Sequence, residues 1–441
     1  MPSKVLAPSF PIERHTLANG LKVVVAPDRS SPVVAVAVHY DVGYRSEPEG
    51  RTGFAHLFEH LMFEGSENLP KLEHAKLVQG NGGQFNGSTT PDFTNYFQVV
   101  PTGAFELMLF LEADRMRSPV ITEHTVANQI DVVKEEIRLN IMNRPYGGMQ
   151  MIHLPPIAFT TFNNSHNGYG SFVDLESATV ADAKDFWKRY YAPGNALLTI
   201  AGDVDPQHAI ALAEQYFGDV PKRAVPTRAN FGEPVPTRER RGTHYDPMSP
   251  TPAIVVGYRA PNPITELDDY AAYYLLMQVL AEGDSARLYK RLVKTGLVTA
   301  MAGFIGPFDN WLDMRDPILT NVLAIYPPGG DPDVLLSAID ECIEQVQVDL
   351  DDDELARARV GATSRYLRAT DSVMNRALTI APLEQQRGRA ELINEIPAAL
   401  AGVTVADAQA AASKWFAPNQ RAVLDWQPGQ DSGAKGNGSR R

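Results

Sequence analysis

A segment that occurs twice constrains the fold of this chain more than any other feature of its sequence. The residues from Thr179 to Ala183 recur from Thr404 to Ala408, 225 positions later. At the same offset, Tyr191-Ala192-Pro193 meets Phe416-Ala417-Pro418. The match keeps its register across a helical segment, a turn and the strand pattern that follows each copy. Such a match predicts a duplicated domain.

Hydrophobic periodicity and turn residues predict the type of each element. Strand patterns cover residues 20–26, 33–40, 93–100, 196–201 and 421–426. Helical patterns cover residues 53–63, about 103–117 and about 122–142. Because strands and helices are mixed without regular βαβ units, we expect an α+β fold built on antiparallel or mixed sheets.

The length of 441 residues fits two domains of about 200 residues each. We assign residues 1–225 to a first domain and residues 244–428 to its homologue. A Pro- and Arg-rich stretch places the linker at residues 226–243. The Gly- and Ser-rich residues 429–441 are expected to form a disordered tail.

Composition excludes several classes of function. The formal net charge of −13, with no basic cluster beyond the short run Arg238 to Arg241, argues against a nucleic-acid partner. No run of 18 apolar residues occurs, so no membrane span is expected. The start as given is no signal peptide, which favours the cytoplasm, whereas a removed signal would indicate the periplasm. The single cysteine, Cys342, excludes an internal disulfide and a Cys-rich metal site.

The segment from Gly53 to Phe63 contains the pattern His56-x-x-Glu59-His60. On a helix the two histidines lie one turn apart on one face, with Glu59 between them. Two imidazoles at this spacing suit zinc, and the intervening carboxylate can take a proton from the attacking water. This order of residues is the inverted zincin motif.

A catalytic zinc needs a third protein ligand from elsewhere in the chain. Glu135 and Glu136 lie on the helical pattern that covers about residues 122–142. Glu136 falls at the edge of the apolar stripe of this helix, whereas Glu135 lies about 100° further round, where solvent is expected. The pattern favours Glu136, and Glu135 remains the alternative.

These motifs together resemble the pitrilysin, insulinase and mitochondrial processing peptidase family. His56-x-x-Glu59-His60 is followed 76 residues later by Glu136, and three further segments match: 82–89, 94–96 and 191–195. The resemblance covers roughly residues 12–428. It is strongest to bacterial members that are built like processing-peptidase subunits, with two homologous α+β domains. Two such chains close like a clamshell around an unfolded peptide.

The resemblance implies that His56, His60 and Glu136 bind one zinc ion per chain and that Glu59 activates water. It also implies that one strand pairs with the backbone of the peptide substrate. The residues of that strand are Gly83, Gln84, Phe85, Asn86, Gly87, Ser88 and Thr89. Many relatives carry a second acidic residue where this chain has Gln129, so we expect weaker support for the metal there.

The second half lacks the metal motif. Aligning Glu64-Gly65 with Glu282-Gly283 places three other residues at the positions of the two histidines and Glu59, namely Tyr274, Met277 and Gln278. This half is therefore expected to be a structural wall that encloses substrate.

Members of the family also use an Arg and a Tyr, seven residues apart in the zinc-less half, to hold the scissile carbonyl. Leu292 and Thr299 occupy these two positions here, and neither can replace the missing donors. Arg291 stands one position away and is the alternative. Without such donors a peptidase forfeits about 3 kcal/mol of transition-state stabilisation per donor. We therefore expect a zinc-less homologous subunit to supply the pair in a heterodimer, although a homodimer is possible.

The sequence thus predicts a zinc metalloendopeptidase subunit. A non-catalytic assembly subunit, like the core subunits of respiratory complexes in the same family, is the second hypothesis. A peptide-binding module with a structural zinc is the third, but it leaves Glu59 without a role.

Overall fold

The structure is a computed structural model that describes residues 9–429. Of the expected tail, only Gly429 belongs to these residues, and residues 430–441 lie outside them. Among the described residues, none of the helices combines the length and the apolar character that a membrane crossing requires.

The first half of the described chain forms a six-stranded mixed sheet. Its strands are β1 (Glu13–Thr16), β2 (Lys22–Pro27), β3 (Val33–Tyr40), β4 (Gln84–Thr89), β5 (Thr94–Pro101) and β6 (Ala196–Gly202). They lie in the order β1-β2-β6-β3-β5-β4, and neighbours are antiparallel except β2 and β6. The Val-rich strands β2 and β3 are buried almost throughout, as expected for strands covered on both faces. Strand β4 lies at one edge.

Helices follow or connect these strands. They are α1 (Phe54–Leu61), α2 (Glu73–Gly80), α3 (Phe105–Arg117), α4 (Glu123–Ile137), α5 (Pro155–Ala158), α6 (Phe162–Ser165), α7 (Phe172–Glu176), α8 (Val180–Tyr190) and α9 (Pro206–Phe217). The helical pattern expected to reach residue 142 does so, but its last turn, Arg138–Met142, is π-helical. A second π-helical turn covers Met149–His153.

The second half of the described chain forms a five-stranded sheet. Its strands are β7 (Arg240–Asp246), β8 (Ala253–Arg259), β9 (Ala300–Ile305), β10 (Leu319–Ile325) and β11 (Ala422–Pro428), in the order β7-β11-β8-β10-β9. Only β7 and β11 pair in parallel among them. The helices are α10 (Leu267–Ala281), α11 (Pro332–Asp349), α12 (Asp352–Asp371), α13 (Val373–Arg387), α14 (Leu392–Gly402) and α15 (Val405–Trp415). The fold is therefore α+β with two mixed sheets, as the sequence predicts.

The repeated segment forms the same local structure twice. Thr179 caps α8, because its hydroxyl accepts a hydrogen bond from the N–H of Asp182 (3.1 Å) while the Asp182 carboxylate accepts from the N–H of Thr179 (3.0 Å). Thr404 and Asp407 make the same reciprocal pair at the start of α15 (3.2 and 2.8 Å). Such capping boxes satisfy backbone donors that a helix leaves unpaired. The repeat is thus preserved in structure as well as in sequence.

The two halves exchange equivalent segments. Helix α13 of the second half packs across β3 and β6 of the first sheet, where Ala377 and Ile380 join the core formed by Val24 and Ala35. The segment that begins at Met149, 225 residues before Met374 of α13, instead packs with α5 against β7 and β11 of the second sheet. Each sheet is therefore covered in part by the other half, which fixes the halves against each other.

The second sheet begins earlier than the linker assignment of 226–243 allows. Strand β7 starts at Arg240, and its residues pair with β11. Two arginines of the basic run 238–241 lie in this strand and are held there by hydrogen bonds. The guanidinium of Arg241 donates to the Asp425 carboxylate (2.6 Å), and Arg240 donates to the carbonyl of Ala158 (2.7 Å). The last four residues of the assigned linker therefore belong to a strand.

Candidate metal centre

Helix α1 begins at a buried acidic cap. The carboxylate of Glu47 accepts hydrogen bonds from the backbone N–H groups of Gly53 (2.9 Å) and Ala55 (2.7 Å). These are donors that an isolated helix leaves unpaired. Glu47 is fully buried, burial raises its pKa, and His166 lies 3.2 Å from its carboxylate. The first turn of α1 is thereby fixed to the loops around it.

One face of α1 packs into the core of the first half. The residues on that face are at most 3% exposed: Phe54, Ala55, Leu57, Phe58 and Leu61. His56, Glu59 and His60 lie on the other face and are half-buried. The helical spacing expected from the sequence therefore presents two imidazoles and a carboxylate on one side of a well-packed helix.

Helix α4 brings Glu136 to the two histidines. Its Oε2 lies 3.2 Å from Nε2 of His60 and 3.7 Å from Nε2 of His56. One ligand atom from each of the three residues lies within 4.8 Å of the other two. Among residues 9–429, this is the one such group of three metal-ligating side chains.

These separations suit a tetrahedral metal ion. With bonds of about 2.0–2.2 Å, zinc ligands lie about 3.3–3.6 Å apart at tetrahedral angles. The distances of 3.2 and 3.7 Å to Glu136 lie about 0.1 Å outside either end of this range, and three ligands leave a fourth position open. The donor set of two imidazoles and one carboxylate is among those that zinc uses in hydrolytic enzymes.

Glu135 points away from this group. Its carboxylate lies 3.3 Å from the guanidinium of Arg138, and both side chains are exposed. Glu136 is instead half-buried beside the histidines. The structure therefore brings together the carboxylate that the helical pattern favours and leaves the alternative in solvent.

The pKa values of the three residues reflect their proximity. Burial, together with the neighbouring His60, lowers the pKa of His56 to about 4. Burial also acts on His60, but the hydrogen bond with Glu136 and the charges of Glu59 and Glu136 outweigh it and raise its pKa. The same hydrogen bond lowers the pKa of Glu136. Neutral imidazole, the form of His56 over a wide pH range, is the form that binds a metal.

Glu59 lies beside the three residues and contacts the edge strand. Its Oε2 accepts a hydrogen bond from the hydroxyl of Thr89 on β4 (2.7 Å). Burial raises its pKa, and the negative charge of Glu136 acts in the same direction. Gly87 on the same strand leaves room for this carboxylate, because a Cβ at position 87 would stand 3.2 Å from Cγ of Glu59.

The chain is similar to known peptidases along most of its length. The family model described as insulinase (peptidase family M16) matches residues 22–154, and the model of the M16 inactive domain matches residues 177–361. The zinc protease PqqE of Helicobacter pylori is 30% identical over 352 residues, which cover 79% of this chain and 76% of that protein. The chain belongs to the M16 peptidase family.

Other M16 proteins share its fold or part of its sequence. The crystal structure of a protease from Helicobacter pylori superposes with a TM-score of 0.87 at 25% identity and covers 95% of this chain and 100% of that one. The yeast mitochondrial-processing peptidase subunit beta and human cytochrome b-c1 complex subunit 1 are each 26% identical over 48% of this chain and 45% and 44% of their own lengths. The chain is thus similar both to proteins named as proteases and to a subunit of the cytochrome b-c1 complex.

The strand expected to bind substrate is an edge strand in this M16 protein. The expected range 83–89 corresponds to β4, Gln84–Thr89, which pairs with β5 on one side only. Phe85 packs against Phe63, and Gly87 and Thr89 contact or approach Glu59, so this face of β4 is turned to the candidate metal group formed by His56, His60 and Glu136. The other edge of β4 pairs with no strand among the described residues, and the N–H of Gly87 donates to Oδ1 of Asn86.

Two residues near the candidate metal group were missed by sequence reasoning. The ring of Tyr169 stands perpendicular to that of His56, with centroids 5.6 Å apart. Glu64, beyond the end of α1, is buried and contacts Gln129 of α4. Neither belongs to the motif that identifies α1, and both reach the group through contacts distant in sequence. The one feature of the sequence that could have indicated Glu64 is its position four residues, or about one helical turn, after His60.

The second half of this M16 protein has no comparable group at the aligned positions. The ring of Tyr274 stacks on Trp311 at 4.4 Å, Met277 is buried, and Gln278 accepts a hydrogen bond from Arg365. These side chains pack or form hydrogen bonds within the second half.

The positions where the family places its Arg and Tyr are also structural here. Leu292 is fully buried, and the Thr299 hydroxyl donates to the carbonyl of Ile325 (3.1 Å). Arg291, the alternative one position away, donates to the Glu341 carboxylate on α11 (2.9 Å).

Proposed function

We propose that this chain is a zinc-dependent endopeptidase subunit that hydrolyses unfolded peptides or small polypeptides. The observation that carries the proposal is the convergence of His56, His60 and Glu136, with ligand atoms within 4.8 Å of one another, beside the carboxylate of Glu59. A structural metal site would not require a fourth, non-ligating carboxylate at this place.

Each residue then has a distinct task. His56, His60 and Glu136 would hold the ion, which supplies a Lewis acid that polarises water and the scissile carbonyl. Glu59 accepts the proton of the attacking water and returns it to the leaving amine. The hydrogen bond of 2.7 Å from Thr89 keeps the Glu59 carboxylate oriented toward the cleft. This assignment accounts for why the helix and the edge strand meet at Glu59.

The substrate is proposed to bind as an extra strand. An extended peptide that pairs with the free edge of β4 would lie along Gln84–Thr89, next to Glu59. Backbone pairing requires an extended segment, so unfolded polypeptides are the expected substrates. The glycine at position 87 allows the peptide and the carboxylate to approach the same stretch of strand.

A second subunit is proposed to complete the site. Leu292 and Thr299 supply no donor to a scissile carbonyl, and Arg291 is engaged with Glu341. A zinc-less homologous subunit that carries the Arg/Tyr pair would supply the missing donors in a closed chamber between the two chains. In a homodimer of this chain, both metal groups would lack them.

The alternative is a non-catalytic assembly subunit. It is favoured by the 26% identity to human cytochrome b-c1 complex subunit 1 over about half of this chain. It offers no account of a three-ligand group with Glu59 beside it.

The test combines metal analysis with peptide hydrolysis. The purified chain, alone and mixed with a zinc-less homologue, is assayed against an unfolded peptide, with Glu59→Gln as the variant. Zinc retention with loss of hydrolysis in Glu59→Gln supports the peptidase. Zinc binding without hydrolysis in any combination supports the assembly subunit, and absence of zinc contradicts both the metal site and the proposed activity.

A further inference from the structure

The two histidines of the metal group differ in the contacts of their second ring nitrogen. Nδ1 of His60 lies 3.3 Å from Oε1 of Gln129. Nδ1 of His56 is buried and has no hydrogen-bond partner among residues 9–429. A hydrogen bond at the second nitrogen normally fixes the orientation and the tautomer of a metal-binding histidine. Of the two histidines, only His60 has such a hydrogen bond to a side chain among residues 9–429.

The contact of His60 continues to a buried carboxylate. Nε2 of Gln129 donates a hydrogen bond to Oε1 of Glu64, and Nζ of Lys71 lies 2.6 Å from the same carboxylate oxygen. Gln129 and Glu64 are each 6% exposed, whereas Lys71 reaches the surface. A continuous path therefore runs from the imidazole of His60 through Gln129 and Glu64 to Lys71.

The carboxylate of Glu64 determines the direction of each hydrogen bond between it and His60. An ionised carboxylate only accepts, so Gln129 must turn its NH2 group to Glu64 and its carbonyl oxygen to His60. That oxygen also only accepts, so Nδ1 of His60 carries a hydrogen. Nε2, which faces Glu136, is then the nitrogen left to bind a metal ion.

We propose that Glu64, acting through Gln129, is a positioning residue of the metal centre that holds His60 in its metal-binding tautomer. The inference rests on the proposed function, because only a chain that binds zinc through His60 requires this tautomer. Gln129, an amide, then links His60 to a carboxylate that lies one side chain further away, on Glu64.

Zinc affinity tests this assignment without an activity assay. Zinc is titrated into the full chain in competition with a chromophoric chelator. Glu64→Gln removes the group that dictates the orientation of Gln129, so we expect zinc to bind roughly 10- to 100-fold more weakly. The exchanged pair, Glu64→Gln with Gln129→Glu, places a carboxylate directly at Nδ1 and should restore the affinity. The matched control is Glu67→Gln, which changes an exposed carboxylate three residues away.

A second measurement needs no change at Glu64. In zinc-loaded protein labelled with 15N-histidine, His60 should carry its proton on Nδ1 and bind the ion through Nε2. His56 and His60 are the rings whose signals change on zinc binding, and Gln129→Ala, which removes the acceptor at Nδ1, identifies those of His60. A proton on Nε2, or zinc affinity in Glu64→Gln equal to that of the unaltered chain, overturns the inference while the proposed function stands. If the unaltered chain binds no zinc, the proposed function falls and the inference falls with it.

Discussion

The hydroxyl of Thr89 donates a hydrogen bond of 2.7 Å to the carboxylate of Glu59. This contact joins α1, which carries the two candidate histidine ligands, to the edge strand of the first sheet, and the two residues lie 30 positions apart in the sequence. It places the proposed proton acceptor beside the free backbone edge at which an extended peptide could pair.

The first prediction concerns the metal ligands. The purified chain should carry about one zinc ion, and His60→Ala or Glu136→Gln should lose most of it, because each removes one of three protein ligands. Glu135→Gln is the matched control, since Glu135 is exposed and paired with Arg138. Metal content per chain is the measurement. Equal loss of zinc in the two Glu variants would contradict the assignment of Glu136.

The second prediction concerns Glu59. Glu59→Gln should keep its zinc and its fold but lower kcat for peptide hydrolysis roughly 100- to 10,000-fold, because the water loses its proton acceptor. Hydrolysis is measured with zinc content held equal to that of the unaltered chain. Substantial turnover that remains sensitive to a chelator would rule out this role.

The third prediction concerns the edge strand. In Gly87→Ala the new methyl group would stand 3.2 Å from both Cγ of Glu59 and the ring of Phe63, so the carboxylate must shift. We expect kcat to fall by up to ~100-fold with zinc content unchanged, because small displacements of a reacting group are costly. Gly103→Ala is the control, as its methyl group would meet no atom within 4 Å. Unchanged kcat in Gly87→Ala would show that the approach of β4 to Glu59 does not matter.

The fourth prediction concerns the partner. The isolated chain should show weak or no peptidase activity, because Leu292 and Thr299 provide no donor to the scissile carbonyl. Activity should rise strongly when a zinc-less homologous subunit with the Arg/Tyr pair is added. The assay compares each subunit with the mixture at equal zinc content. An isolated chain as active as the mixture would refute the heterodimer.

The fifth prediction concerns stability in acid. The rings of His153 and His244 lie 3.8 Å apart where a segment of the first half packs on the second sheet. Burial, and then the neighbouring His244, lowers the pKa of His153 from 6.5 to about 4. Burial also lowers the pKa of His244, although Asp246 opposes the effect at both rings.

The unfolded chain therefore binds a proton at His153 near pH 6.5, whereas the folded chain does so only near pH 4. The lowered pKa of His153 therefore contributes fully to the free energy of unfolding above pH 6.5. This contribution is lost as the pH falls from 6.5 to about 4. The midpoint of thermal unfolding should decrease over the window, and less so in His153→Gln. His124→Gln, which changes an exposed histidine, should keep the original slope.

Local features of the fold and of the site could be predicted from the sequence. The spacing of His56, Glu59 and His60 fixes their common helical face, since three residues within two turns need only a helix to meet. The helix caps at Thr179 and Thr404 form within four residues of each threonine, so the repeat carries them wherever it occurs.

Tertiary packing alone decided the rest. Glu136 approaches His60 across 76 residues, and Glu64 contacts Gln129 across 65, so neither distance is contained in local periodicity. The exchange of α13 and the segment at Met149 between the sheets likewise depends on which apolar faces meet in the folded chain. The sequence determined which groups could bind a metal. The packing of α4 against α1 determined which carboxylate reaches it and which buried acid orients its ligand, because side chains far apart in the chain meet only when their helices are packed together.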